Sequence, residues 1–276
     1  GKERYLPLYE AKMIYQYNHR HGDFRDARDG ERSHVLPTIP AERLRDTSYL
    51  TLPYYWVPQN TVSNLLDDKS WKSDWLIGWR EVTDARASIR TLVASVIPRA
   101  GANNKFLLMM PSTTARQAAA LLGNLCSITC DYISRQKVGG LALNYFTMKQ
   151  LPILAPNAYT NTNLAFIVPR VLELTYTAHD LSGWAQDLGY DGEPFPFDPD
   201  RRATLRAELD AYYAKLYGLT RDELRYILDP TDIMGEDYPS ETFRVLKNKE
   251  LKEFGEYRTQ RLVLAAWDKL ECGELR

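Results

Sequence analysis

Apolar and polar positions follow two different spacings along this chain. Up to about residue 155, short runs rich in Val, Ile, Leu, Tyr and Trp alternate with turn residues, and several end at prolines, which strand centres exclude. We predict strands for the runs at 8–17, 54–57, 75–82, 90–97 and 106–110. One helix interrupts them, because apolar residues recur at helical spacing from Ala118 to Ile133, before Gly139 and Gly140. The first part of the chain is therefore expected to be α+β.

In the second part the apolar spacing becomes helical. Helices are predicted at 164–188, 201–217, 220–228 and 247–270. The third of these begins with Thr220 and has Glu223 three residues later, which is the pattern of a capping box. The change near 152–156 predicts two domains, an α+β domain over 1–155 and an α-helical domain over 156–276.

The formal net charge of −1 hides opposite balances in these two parts. Residues 1–155 carry 20 Lys and Arg against 14 Asp and Glu, whereas 156–276 carry 15 against 22. A surface that binds a polyanion is therefore expected in the first part, although differences of this size also arise from ordinary surface variation.

Composition also bears on the compartment. No run approaches the ~18 apolar residues that a membrane span needs, so no membrane contact is expected. The opening residues 1–4 contain no apolar signal core, and three cysteines are too few for a disulfide scaffold. These features predict a cytoplasmic protein.

The common catalytic motifs are missing from the sequence. It contains no G-x-G-x-x-G, no G-x-x-x-x-G-K-[ST], no G-x-S-x-G and no Asn-Pro-Pro-aromatic loop for a flipped base. The tripeptides at 10–12 and 250–252 read Glu-x-Lys, which is half of a nuclease site, but neither has a Pro-Asp close upstream. A nuclease is therefore the weakest of the functions considered.

Two pairs of metal-ligand residue types have simpler interpretations. Cys126 and Cys130 lie four residues apart on the predicted helix, and without a second Cys or His pair we expect both to be buried and metal-free. His19 and His21 would share one side of a strand, but the neighbouring Arg20 disfavours a cation there. No metal site is predicted.

Residues 9–21 read YEAKMIYQYNHRH, which interleaves basic, amide and aromatic side chains. Lys and Arg neutralise phosphates, while Gln, Asn and Arg can read base edges. Composition alone favours a solvated strand face with its tyrosines packed inward, so a more specific signal is needed.

Several separated blocks supply such a signal. Residues 7–20 read PLYEAKMIYQYNHR, 79–82 read WREV and 90–98 read RTLVASVIP. Further blocks are DYISRQKVGG at 131–140, QLPI at 150–153, RAELDAYY at 206–213, LYGL at 216–219 and ETFRVLK at 241–247. In this order they resemble blocks of type IIG-like restriction-modification proteins, which fuse an adenine-N6 DNA methyltransferase to a target recognition region. One departure is Ala11, which stands where a Gly is usual in that family.

The resemblance implies a C-terminal piece of a longer protein. The methyltransferase domain with its S-adenosylmethionine would lie upstream, as would any nuclease with its Mg²⁺, and no cofactor is expected in this piece. The expected function is sequence-specific recognition of double-stranded DNA for a restriction-modification or phage-defence methyltransferase. The alternative is a helical protein-interaction module of the same complex that does not contact DNA.

The same resemblance gives roles to individual residues. Phosphate contacts are expected from Lys12, Arg20, Arg86, Arg90 and Lys137. Base contacts are expected from among Tyr15, Gln16, Asn18, His19 and Arg80. One more DNA contact is expected from Arg135. No catalytic residue is expected.

Overall fold

A computed structural model of the chain describes residues 3–28, 35–239 and 242–275. Within these ranges the chain forms twelve helices and two three-stranded sheets, so the expected mixture of helix and strand is confirmed. Glu241, which belongs to one of the blocks quoted above, lies outside the described residues. Every helix in the described ranges is too short or too polar to cross a membrane.

The first sheet has the strand order β2–β1–β5. Its central strand β1 (Tyr5–Tyr9) pairs antiparallel with β2 (Trp56–Pro58) and parallel with β5 (Gly101–Ala102). Pro58 ends β2 because proline cannot donate to a strand ladder.

The second sheet has the order β4–β3–β6 and is antiparallel throughout. Its strands are β3 (Trp75–Arg80), β4 (Ala94–Pro98) and β6 (Phe106–Met109). Every residue of β3 except the last is buried, which fits its continuous apolar sequence.

Two strand predictions need correction. The predicted strand 8–17 ends at Tyr9, and Ala11–Met13 forms a 3₁₀ turn instead. The predicted strand 90–97 starts only at Ala94, because the N–H groups of the two residues before Val93 bond to a side chain rather than to a strand. The other predicted strands overlap those observed.

The helices are α1 (Ala41–Leu44), α2 (Gln59–Asp67), α3 (Ala115–Cys126), α4 (Ile128–Lys137), α5 (Tyr145–Met148), α6 (Asn161–Thr175), α7 (Ser182–Asp187), α8 (Pro199–Leu216), α9 (Arg221–Leu228), α10 (Thr231–Met234), α11 (Arg244–Phe254) and α12 (Arg258–Glu271). Thr220 caps α9 and forms the predicted capping box with Glu223.

Three predicted helices are each divided in the structure. The predicted helix around Ala118–Ile133 breaks at Ser127, which adopts an extended backbone and accepts the Cys130 N–H at the start of α4. The prediction at 164–188 is interrupted after Thr175. The prediction at 247–270 is interrupted at Gly255, whose φ of 74° ends α11.

The chain divides into two compact units, each made of separate segments. The first unit holds Gly1–Val82, Val93–Leu122 and Val171–Asp198, and both sheets belong to it. The second unit holds Thr83–Leu92, Gly123–Arg170 and Pro199–Arg276. The chain passes repeatedly from one unit to the other, and residues 155 and 156 both belong to the second unit.

The second unit is helical and has its own core. Residues from α8, α9 and α12 pack together there, among them Ala211, Leu224, Val263 and Trp267. Ile128 at the start of α4 joins the same cluster. This core supports α4, which carries the surface described next.

Candidate nucleic-acid interface

Five side chains expected to contact DNA are buried. Each is less than a tenth exposed, and they are Gln16, Asn18, His19, Arg20 and Arg90. A buried side chain cannot reach a phosphate or a base edge in this fold. Their role as DNA contacts stays a prediction, and the structure encloses all five side chains.

Arg20 shows how a side chain of this group is enclosed by the chain. Its Nη1 donates to the carbonyl oxygens of Asp46 at 2.8 Å and Tyr49 at 3.0 Å. Its Nη2 donates to those of Leu44 at 2.8 Å and Thr177 at 2.7 Å. Burial lowers the pKa of this guanidinium, and the nearby acids only partly offset that effect. Arg20 therefore holds backbone segments of the first unit together.

His19 is bound to an acid instead of facing solvent. Its Nε2 lies 2.9 and 3.1 Å from the two carboxylate oxygens of Asp180. Burial opposes ionisation of that carboxyl, but the attraction of His19 and Arg20 outweighs it and holds the pKa of Asp180 below its ordinary value. The nearby His21 ring packs 5.0 Å from the Tyr15 ring.

The half-buried Lys12, Tyr15 and Arg80, also predicted to contact DNA, have partners within the first unit. Lys12 Nζ lies 3.3 Å from a Glu10 carboxylate oxygen. Arg80 stacks over the Tyr15 ring at 5.7 Å and donates to the Ile14 carbonyl. Burial lowers the pKa of Arg80 to about 10. The stretch at 9–21 is thus mainly a structural element.

Arg135 of α4, in the second unit, binds the backbone of the loop at residues 85–89. Its guanidinium donates to the carbonyl oxygens of Ala85 at 2.8 Å, Ser88 at 2.9 Å, Ile89 at 2.8 Å and Thr242 at 2.7 Å. The side chain is only 5% exposed, and burial lowers the pKa of Arg135. It is a positioning residue rather than a phosphate contact.

Asp131 of α4 binds the end of the same loop, at Thr91 and Leu92. One carboxylate oxygen accepts the N–H groups of Thr91 and Leu92, both at 2.8 Å. The other oxygen lies 3.0 Å from Arg90 Nε and 3.7 Å from Arg135 Nε. The fully buried Asp131 carboxylate thus fixes the backbone of the loop at Thr91 and Leu92.

Arg86 and Lys137 are the two predicted contacts that are exposed. Arg86 lies in a turn where the Asp84 carboxylate accepts the N–H of Arg86 at 2.8 Å and of Ala87 at 3.1 Å. These bonds hold the pKa of Asp84 below its ordinary value. Lys137 ends α4, two residues after Arg135. Arg135 therefore joins the two elements that display these cations.

The segment after α4 is fixed by buried residues. Leu143, Met148 and Leu151 are buried on either side of α5 and within it. The Asn144 side chain caps this short helix by accepting the Thr147 N–H at 3.0 Å. The backbone around α5 is therefore held in place.

What this part of the second unit exposes is cationic, amide and aromatic. We call it the α4–α5 surface, and it consists of Arg86, Gln136, Lys137, Leu141, Tyr145, Phe146, Lys149 and Gln150. The Leu141 carbonyl accepts the Thr83 N–H at 3.0 Å, which connects the segment to the loop that carries Arg86. Among the described residues, Lys137 and Lys149 form no ion pair.

Few acids occur in residues 85–172, a stretch that includes this surface and also part of the first unit. Residues 85–172 contain nine Lys and Arg but a single Asp, the buried Asp131, and no Glu. The flanking parts are balanced or acidic, with 12 basic against 13 acidic residues in 1–84 and 14 against 22 in 173–276. The charge balance on either side of residue 155 conceals this cationic run, because that position divides it.

The remaining sequence candidates have structural partners. Cys126 and Cys130 are both buried, as expected, although they belong to different helices. Burial raises the pKa of the Cys130 thiol. Glu250 accepts the Thr259 N–H at 2.7 Å and its hydroxyl at 2.6 Å, so it stabilises the start of α12.

Comparison with known proteins finds no matching family model, no similar curated protein and no similar solved structure. The function is therefore inferred from the chain's own residues. Lys137 and Lys149 are exposed and form no ion pair among the described residues, which suits a polyanion, and exposed amides suit base edges.

Proposed function

We propose that this chain recognises double-stranded DNA sequence-specifically, as the target recognition region of a restriction-modification or phage-defence adenine-N6 methyltransferase. The observation that carries the proposal is the cationic run at 85–172, whose single carboxylate is buried. The blocks that resemble such enzymes give the second line of support. In this proposal methyl transfer from S-adenosylmethionine belongs to a separate domain, and that domain is the protein partner.

The charge pattern favours a duplex for a physical reason. DNA presents one phosphate per ~1.7 Å of helix axis, and each Lys or Arg that meets a phosphate releases counterions. An exposed carboxylate close to the contact would repel the same phosphates. Lys137 and Lys149 face solvent within a run that exposes no carboxylate along its described length, whereas Arg86 lies beside the partly exposed Asp84.

Base reading is proposed for exposed amides of the α4–α5 surface. Gln136 and Gln150 are both exposed, and a glutamine amide can bond adenine at N6 and N7 together. This moves the proposed base contacts from the buried stretch at 9–21 to residues 136–150. The buried stretch then supports the fold of the first unit.

A protein-interaction function is the second candidate, and a separate observation favours it. Tyr54, Tyr55 and Trp56 are each about half exposed beside or within β2, an edge strand of the first sheet. Exposed apolar patches commonly mark protein contacts. From the sequence, a docking face was expected on the helices of residues 156–276 and not on this sheet.

Binding to a fluorescein-labelled duplex, followed by anisotropy at several salt concentrations, tests the first candidate. The double variant Lys137→Ala/Lys149→Ala should bind more weakly, and its log–log salt slope should be shallower by about 1.8, since each lost phosphate contact removes about 0.9. Lys249→Ala/Lys252→Ala is the matched control, because these exposed lysines of α11 lie outside the cationic run. Equal losses in both double variants, or no salt-dependent binding by the native chain, would contradict the proposal.

Specificity needs its own measurement. Selection from a pool of randomised duplexes should enrich one motif, and Gln136→Ala or Gln150→Ala should relax it at a single position while the salt slope stays unchanged. A pool that stays random after selection by the full-length parent would contradict sequence-specific recognition.

A further inference from the structure

Phe146 is the most exposed large apolar residue of the cationic run. Its side chain is 75% exposed, and that of Leu141 is 66% exposed. Single exposed apolar residues are common on protein surfaces and need no explanation by themselves. The setting of Phe146 is what distinguishes it.

The ring is displayed by an ordered backbone. Phe146 lies in the first turn of α5, which is capped by Asn144, and Met148 two residues later is buried. The Gln150 amide also donates to the Phe146 carbonyl at 3.4 Å. Phe146 is therefore exposed by a backbone that the cap and the buried Met148 hold in place.

The charges near Phe146 in the sequence favour an anionic partner. Lys137 and Lys149 are exposed on the same α4–α5 surface, and no exposed carboxylate occurs anywhere in the described run 85–172. An exposed apolar ring close in the sequence to two lysines that form no ion pair is complementary to a duplex, which offers phosphates outside and apolar base faces inside.

We propose that Phe146 is a wedge that enters the duplex between two stacked base pairs. This inference rests on the proposed DNA-binding function and adds to it the form of DNA that the site prefers. Apolar side chains of this kind separate neighbouring bases and kink the helix, and the deformation lets the protein contact more DNA. Pyrimidine–purine steps unstack most easily, so the preferred substrate is a duplex with a TA or CA/TG step at the contact.

A duplex that carries 2-aminopurine at the step tests the wedge, because this base fluoresces more strongly when it is unstacked. The native chain should raise the fluorescence on binding. Phe146→Ala should abolish that rise and weaken binding about tenfold, the order expected for one lost base–aromatic contact. Its salt slope should match the native value, since no phosphate contact is removed.

Two further variants make the result specific. Phe254→Ala is the matched control, since Phe254 is 45% exposed at the end of α11 outside the run, and it should behave as the native chain. Phe146→Trp keeps a flat apolar ring and should keep the fluorescence rise. Because Phe146 is exposed, Phe146→Ala should retain the native melting temperature.

The outcomes separate the wedge from DNA binding itself. If the native chain shows no salt-dependent binding, the proposed function fails and the wedge fails with it. If salt-dependent binding occurs without a fluorescence rise, or if Phe146→Ala keeps both affinity and rise, only the wedge is overturned. The exposed Phe146 ring would then be available for contact with a protein partner.

Discussion

Asp131→Asn should destabilise the second unit strongly. The Asp131 carboxylate is fully buried and faces Arg90, whose side chain is 2% exposed, at 3.0 Å. It also accepts two backbone N–H groups at 2.8 Å. An asparagine keeps the size of the side chain and one acceptor, but it removes the negative charge that lies 3.0 Å from the buried Arg90 guanidinium.

The magnitude follows from that geometry. Removing one partner of a buried ion pair typically costs about 3–5 kcal/mol. Because whole domains are stable by only about 5–15 kcal/mol, this loss is large. Urea unfolding, followed by circular dichroism, should show a much lower midpoint for Asp131→Asn, while Asp237→Asn at an exposed position should leave it nearly unchanged.

A double variant separates lost charge pairing from lost packing. Asp131→Asn with Arg90→Met removes both charges, while the asparagine oxygen can still accept the Thr91 and Leu92 N–H groups. The double variant should therefore recover much of the stability that either single change loses. If Asp131→Asn costs less than about 1 kcal/mol, the pair does not anchor the loop as argued here.

Three other predictions concern the fold. Gly78→Ala should cost about 1–3 kcal/mol, because the new Cβ would lie 2.5 Å from a carbonyl oxygen of β6, while Gly139→Ala has open space and should be neutral in the same unfolding assay. Of the three thiols, only that of Cys272 is exposed, so a disulfide reagent should modify one thiol rapidly in the folded chain and all three after denaturation. Asp180 beside His19 has a lowered pKa, so its ionised form stabilises the fold. This stabilisation is fully present above the unfolded carboxyl pKa of about 3.9, and it is lost as the pH falls through the lower pKa of the folded state. Asp180→Asn should therefore flatten the acid limb of stability against pH, and an unchanged limb would contradict that pairing.

The sequence predicted elements whose ends carry local signals. The capping box at Thr220 and the proline at the end of β2 are examples. Predictions failed where a distant partner decides the backbone. The N–H groups of Thr91 and Leu92 bond to Asp131, some forty residues later, so β4 starts late.

The site was harder to predict because a basic residue looks the same whether it binds phosphate or backbone. Arg20 and Arg135 each donate to four carbonyl oxygens that are distant in sequence, and no local pattern shows this. The lack of acids in 85–172 could have been found in the sequence. Only the structure shows that its one carboxylate is buried and that Phe146 is exposed.

Photo-cross-linking tests the central claim most directly, since it locates the DNA on the protein. The full chain would be irradiated with a duplex that contains bromodeoxyuridine, and the cross-linked peptides would be identified by mass spectrometry. We expect the cross-links in residues 135–150, with Tyr145 and Phe146 foremost, and in the loop around Arg86. Cross-links confined to α11 and α12, or to the stretch at 9–21, would contradict DNA recognition by the α4–α5 surface.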